Sequence, residues 1–234
     1  MDHFSGCLVC GADLTYEQHN RSLICFYCDN EIEANVLCKN DHYVCDRCHA
    51  HSANDQIEYT CIHTQSIDPI QLANNLLHHP AIKMHGPEHH FLVPAVLLAT
   101  FYNYKNQHNL KTKKIQIARQ RASYTKGGSC GSCGTCGAAV GTGIFISLIT
   151  EATPLSRDAW GLSNMMTAQS LHRIAIHSGP RCCKRVSFLA IRTAVEFLKL
   201  HFEITLKTIE NLNCDFNSAN KECLEQDCPF YNIL

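Results

Sequence analysis

What this chain lacks narrows its class before any motif is considered. It has almost no net charge: the formal value is −1 at pH 7, so no overall field favours nucleic acid or an anionic membrane as an obligatory partner. It also has no long apolar run. The longest, Phe91 to Tyr102, contains Pro94 and falls short of the ~20 apolar residues that cross a bilayer, so a soluble protein is expected. The opening Met1-Asp2-His3 has no basic segment leading into an apolar one, unlike a secretory leader. Beyond Asp68 strand signals nearly vanish. No glycine-rich nucleotide fingerprint follows an expected strand, which excludes a nucleotide-binding methyltransferase domain. Helix-pair repeats, coiled-coil heptads and low-complexity tracts are also missing, which demotes repeat architectures.

What is abundant is cysteine. Sixteen in 234 residues, without a leader, point to a reducing cytoplasm and to metal or thiol chemistry rather than a disulfide-stapled secreted domain. The length suits one main domain plus a small appendage, read as residues 1–64 and 65–234.

The first of these carries Cys7-x2-Cys10, Cys25-x2-Cys28, Cys38-x3-His42 and Cys45-x2-Cys48. Paired thiolates at CxxC spacing reach one ion, and tetrahedral zinc takes two pairs, so eight ligands fill two closed structural sites. Pairing is either sequential, as in tandem zinc ribbons, or cross-braced, first with third and second with fourth. The spacing from Cys25 to Cys48 resembles part of a RING and favours cross-bracing. A final CxxC is missing, so ubiquitin-ligase activity does not follow. Cys61, His49, His51 and His63 are spare ligands that could replace His42. With Glu31, Glu33 and Asp41 among few basic residues, the module has no clear nucleic-acid face.

The remainder reads as an all-helical bundle. Asp68-Pro69 is a helix start before Ile70–Leu77, and further helices are predicted over 87–105, 112–123, 136–150, 159–176 and 182–202, separated by Gly127-Gly128, Thr153-Pro154 and Ser178-Gly179-Pro180.

Three constellations in this bundle invite chemistry. Cys130, Cys133 and Cys136 stand three residues apart among glycines, the spacing of the first three ligands of a ferredoxin-type cluster. Cys182, Cys183 or the distant Cys228-Pro229 could supply a fourth. The spacing is not the CxxxCxxC of radical-SAM enzymes. The apolar stretch after Cys136, rich in small residues, admits a close backbone or a cofactor.

In Gly179-Pro180-Arg181-Cys182-Cys183-Lys184-Arg185, thiols at a helix start beside cations should be acidic, and Arg181, Lys184 and Arg185 could grip a carboxylate or phosphate. His85-Gly86-Pro87-Glu88-His89-His90 contains HxxEH, the inverted zinc-protease pattern. Pro87 should start the helix too late to align both histidines, leaving His85, Glu88 and His89 as proton-transfer or metal-ligating groups. The tail adds Cys214-x8-Cys223-x4-Cys228, most of another closed zinc site if one ligand comes from elsewhere.

On the opening CxxC pairs, the Lys83–His90 block, the glycine-cysteine segment, Thr153–Ser156 and Gly179–Arg185, the chain resembles an uncharacterised cysteine-rich family of anaerobic bacteria and methanogenic archaea. That resemblance implies an auxiliary role beside methyltransferase or radical-SAM modules. Cys136-Gly137-Ala138-Ala139-Val140-Gly141 followed by Cys182-Cys183 also looks like the C-GCAxxG-C-C redox proteins, although here the cysteine precedes the glycine.

The expected function is therefore a metalloprotein with two structural zinc ions and a cysteine-ligated site, iron-sulfur or reactive thiol, for redox or sulfur-transfer chemistry. Cys130, Cys133, Cys136, Cys182 and Cys183 would line that site. A small anionic substrate or a protein is the expected partner. The rival is a non-enzymatic adapter in which every cysteine cluster holds structural zinc, and a zinc hydrolase ranks last.

Overall fold

The computed structural model describes residues 7–45, 48 and 52–231. Two strands, β1 (Leu14–Ile24) and β2 (Glu31–Cys38), form an antiparallel hairpin. Leu14 pairs with Cys38 and Ile24 with Glu31, with an irregularity between Tyr16 and Arg21. This register sets the two CxxC turns and the Cys38 end at fixed places. Cys7 and Cys10 lie on the turn before β1, Cys25 and Cys28 on the hairpin turn, and Cys38 at the close of β2.

Eight helices follow among the described residues: α1 (Ala53–His63), α2 (Pro69–Leu77), α3 (Glu88–Tyr104), α4 (His108–Ala122), the one-turn α5 (Ser129–Ser132), α6 (Gly137–Ile149), α7 (Asp158–Ala175) and α8 (Cys183–Phe202). No described helix is long and apolar enough to cross a membrane. The protein is thus mainly helical, with a small cysteine-rich hairpin in front.

The helix predictions beyond residue 68 agree with the structure to within four residues at each end. Asp68 shows why the signal was clear: its Oδ1 accepts the Ile70 and Gln71 amides, each at 2.9 Å, ahead of Pro69 in the first turn, a strong N-cap. Two helices were missed, the one-turn α5 among the glycines and the longer α1. Its cap, Ser52 accepting the Asp55 amide, lies among residues read as spare zinc ligands. Cys61 is instead fully buried in the helical core with Ile57, and the His63 ring binds its own helix at the Tyr59 carbonyl. His49 and His51 lie outside the described residues.

The apolar run Phe91–Tyr102 becomes the centre of the bundle. Helix α3 is buried on nearly every face, as a helix apolar all round must be, and packs against α1, α2, α4, α6 and α8. Pro94 removes the amide that would bind the His90 carbonyl. That carbonyl lies against Gly141 of α6, where any Cβ would press on it and on the Pro94 ring. Gly137 meets the His90 ring in the same way, and Gly143 meets Thr167 of α7. The small residues of α6 therefore admit neighbouring helices.

Helix α1 joins the two parts. Ile57 and Cys61 belong to the bundle core, while Tyr59 packs with the metal-site cysteines Cys25, Cys28, Cys45 and Cys48. His79 adds a second tie, its Nε2 hydrogen-bonding the Cys48 carbonyl at 3.1 Å and its ring meeting Tyr27 edge-on.

Candidate functional sites

The eight amino-terminal donors fall into two sets, Cys7, Cys10, Cys38 and His42, and Cys25, Cys28, Cys45 and Cys48, with all donor atoms in each set within 4.8 Å of one another. The first pair joins the third and the second joins the fourth, which is the cross-braced arrangement. Spacing supports a tetrahedral ion, since thiolates at the zinc–sulfur distance stand roughly 3.8 Å apart. Here Cys10 and Cys38 sulfurs are 3.8 Å apart, Cys28 and Cys45 sulfurs 4.0 Å, and Cys38 Sγ lies 3.5 Å from His42 Nδ1.

Each set holds one thiol well below its ordinary pKa. Cys10 is brought to about 6, mainly by the Ala12 amide, and Cys25 is lowered by hydrogen bonds from Cys28 and Cys48. Burial instead pushes Cys7 up to about 11. Backbone amides reach the sulfurs as well, from Val9 to Cys7 at 3.4 Å, Asn40 to Cys38 at 3.3 Å and Cys45 to Cys25 at 3.4 Å. These donors favour thiolate and fix each turn. The arrangement suits a metal ion at each set.

The second site lies in the bundle. A cavity of about 980 Å³ is lined by His85, His89, His90, Cys130, Cys136, Cys183 and Arg181, with Leu171, His172 and Ile174 of α7. The three constellations singled out from sequence thus meet around one space, although they lie nearly a hundred residues apart. The amino-terminal ends of α3, α6 and α8 border it, and helix amino termini favour negative charge.

Two imidazoles in this wall are poised in the same way. His89 Nδ1 donates to the Gly86 carbonyl at 3.0 Å, and His85 Nε2 donates to Asn220 Oδ1 at 3.3 Å. The remaining nitrogens, His89 Nε2 and His85 Nδ1, are buried without a partner. Burial, with Lys184 nearby, lowers the His89 pKa to about 3, so Nε2 carries a free lone pair at neutral pH. Anchoring one nitrogen to an oxygen while freeing the other is how metal-ligating histidines are oriented.

The thiols differ from expectation. Burial outweighs the helix amides and the arginines, so Cys136, Cys182 and Cys183 all have raised pKa values. The Gly86 amide donates to Cys183, linking two constellations directly.

Several residues assigned to this site lie elsewhere. Cys133 is exposed, hydrogen-bonded to Ser132 Oγ and away from the cavity wall. Cys182 turns toward the tail cysteines Cys214, Cys223 and Cys228. Glu88 accepts the Lys83 amide at 3.0 Å and folds onto Gly86, filling the space a side chain there would need. It does not line the cavity, and His85 precedes the α3 start, so HxxEH is not presented on one helix face. Lys184 is 2% exposed, donates to the Leu77 and Ile82 carbonyls, and fastens the end of α2. Arg185 does line the cavity, but its guanidinium braces the Ser178 and Pro180 carbonyls. Of the three cations only Arg181 is exposed at the cavity.

His90 and His172 are the residues that sequence reasoning missed. His90 adjoins a recognised motif, and its Nδ1 donates to the Thr125 carbonyl. No local pattern marks His172.

These features define a cysteine-rich helical protein with cross-braced amino-terminal metal-ligand sets and a histidine-thiol cavity. The chain belongs to the family of unknown function DUF5714, whose model matches residues 57–231. The matched span starts after the opening CxxC pairs and includes the whole cavity wall. No curated protein and no solved structure matches the chain.

Proposed function

We propose that this is a cytoplasmic metalloprotein whose amino-terminal sets hold two structural zinc ions and whose bundle cavity holds a cysteine-ligated iron-sulfur centre for redox chemistry. The observation that carries the reading is the convergence of Cys130, Cys136 and Cys183 on one cavity with His85 and His89, each of which keeps one buried ring nitrogen without a partner. Raised thiol pKa values argue against free nucleophilic thiolates, whereas metal ions deprotonate coordinating thiols outright. No three donors on this wall lie within 4.8 Å of one another, and a space of about 980 Å³ leaves room for a multi-atom cluster. Three helix amino termini and Arg181 favour an anionic group. A bound cluster would exchange single electrons with an external one-electron carrier, while the chain's own residues ligate it.

Iron and acid-labile sulfide analysis, with a visible spectrum, on protein purified without oxygen tests this. Iron with sulfide and a visible chromophore is expected, lost in Cys136→Ser and Cys183→Ser. Zinc alone, with no chromophore, would sink the cluster. Displaceable sulfur carried on Cys136 or Cys183 without iron would select sulfur transfer instead.

One observation favours the adapter as a second reading. Helix α7 and its flanks expose Leu155, Trp160, Met165 and Ile176, large apolar side chains that a partner protein would cover. In that case Trp160→Ala would abolish partner binding while metal content stayed unchanged.

A further inference from the structure

After α8 the chain runs from 203 to 231 with only two single 3₁₀ turns, at Asn217–Ala219 and Glu225–Asp227, yet it is held firmly. Asp68 accepts the Ile209 amide, the Cys214 amide reaches the Phe230 carbonyl at 2.7 Å, and Phe230 is buried between Phe188 and the Arg192 guanidinium. Inside this fold-back is a small space of about 10 Å³, walled by Cys182, Cys214, Cys223 and Cys228 with Phe188, Phe216 and Phe230. We propose that these four cysteines form a third metal site, for a single tetrahedral, thiolate-preferring cation of the zinc class, with Cys182 as the ligand that the tail borrows from the bundle.

Three features support the assignment. The first is the turn geometry. Cys214 accepts the Phe216 amide and Cys223 the Glu225 amide, both two residues on and both at 3.4 Å. Cys7 accepts Val9 and Cys38 accepts Asn40 in the same way in the amino-terminal sets, at 3.4 and 3.3 Å. Cys182 accepts the Arg185 amide at 3.4 Å, so three of the four sulfurs already have a donor that stabilises thiolate. The second is size, because the space admits one ion and excludes the cluster that the large cavity could house. The third is composition, since a segment with so little regular structure and three cysteines is one that a metal cross-link would steady further. Cys214 lies within electrostatic reach of the other three.

No three of these sulfurs lie within 4.8 Å of one another, so an ion must draw the tail inward. That contraction would bear on the cavity. Asn220, between Cys214 and Cys223, orients His85 through its Oδ1, and Cys182 adjoins Cys183. The tail ion would therefore position His85 and Cys183, although the site itself does not depend on what the cavity holds.

The test is alkylation of the full reduced chain by N-ethylmaleimide, with Zn²⁺ alone or with chelator, read cysteine by cysteine by mass spectrometry. Cys182, Cys214, Cys223 and Cys228 should be protected together, reacting on the order of tenfold more slowly with zinc. Equal rates for Cys214 and Cys223 with and without zinc would overturn the site, and protection of Cys183 in place of Cys182 would overturn the fourth ligand. Cys223→Ser should bind one zinc fewer than the unsubstituted chain, and an unchanged zinc count would also overturn it. Should that variant not fold, the alkylation result decides on the native chain.

Discussion

The amino-terminal module and the bundle cavity use the same side chain in opposite ways. In the module, cysteines sit on tight turns at the ends of a hairpin, where backbone amides draw four donors around a point. In the bundle, Cys136 and Cys183 sit at the starts of long helices. Here the packed helices leave these thiols facing a space of about 980 Å³. In this chain the turn-borne cysteines gather into compact sets that could each hold an ion, and the helix-borne cysteines line an open wall. The first arrangement replaces a hydrophobic core too small to stand alone. The second is what a cofactor needs.

The largest expected effect separates the two regions directly. Cys25→Ser should remove one ion and unfold the module, since structural zinc contributes on the order of 10 kcal/mol to such units. Cys183→Ser should leave the melting temperature within a few degrees while changing what the cavity binds. Zinc content and thermal melts of the two variants check this, and equal destabilisation by both would erase the distinction.

Next in size is acid sensitivity centred on His89. Its folded pKa of about 3 lies below the ordinary value of 6.5, so between these values the unfolded chain binds more protons. Stability should fall as pH drops from 6.5 toward 3, by up to roughly 4 kcal/mol. An NMR titration should show the His89 ring neutral at pH 5; a protonated ring there would contradict its buried lone pair.

Gly137→Ala comes next. The new methyl overlaps the His90 ring, so a loss of about 1–3 kcal/mol is expected from denaturant unfolding, together with a displaced cavity wall. Arg181→Gln should have the smallest effect on stability, within about 0.5 kcal/mol. Its exposed guanidinium should matter only to an anionic occupant, so binding would weaken and melting would not change.

Much of the fold was legible because its signals are local. Asp68-Pro69 caps α2 whatever lies around it, and the breakers at Gly127-Gly128 and Ser178-Gly179-Pro180 divide helices by backbone geometry alone. Helix α1 was hidden because its apolar periodicity is weak, with Gln56 and Thr60 buried beside Ile57 and Cys61, and because Cys61 and His63 read equally well as ligands. Cross-bracing was half visible, since spacing permits both pairings and only the hairpin register brings Cys38 beside Cys10. The site was legible as three motifs, but the division of labour within them was not. Cys182 and Cys183 are neighbours in sequence, yet the turn into α8 sends one to the tail and the other to the cavity. Lys184 and Arg185 looked available until their amines and guanidinium groups met buried carbonyls.

By itself, then, the order of residues determined where most helices beyond Asp68 begin and end, which cysteines come in ligand pairs and that the chain is rich in thiols. These depend on interactions across a few positions. Tertiary structure alone decided which ligand pairs come together, that three motifs surround one cavity, and which cations face inward. Those outcomes depend on distances between segments far apart in sequence, set by how α3, α6, α7 and α8 pack. A protein core fixes such distances through volume and shape complementarity that no local pattern encodes.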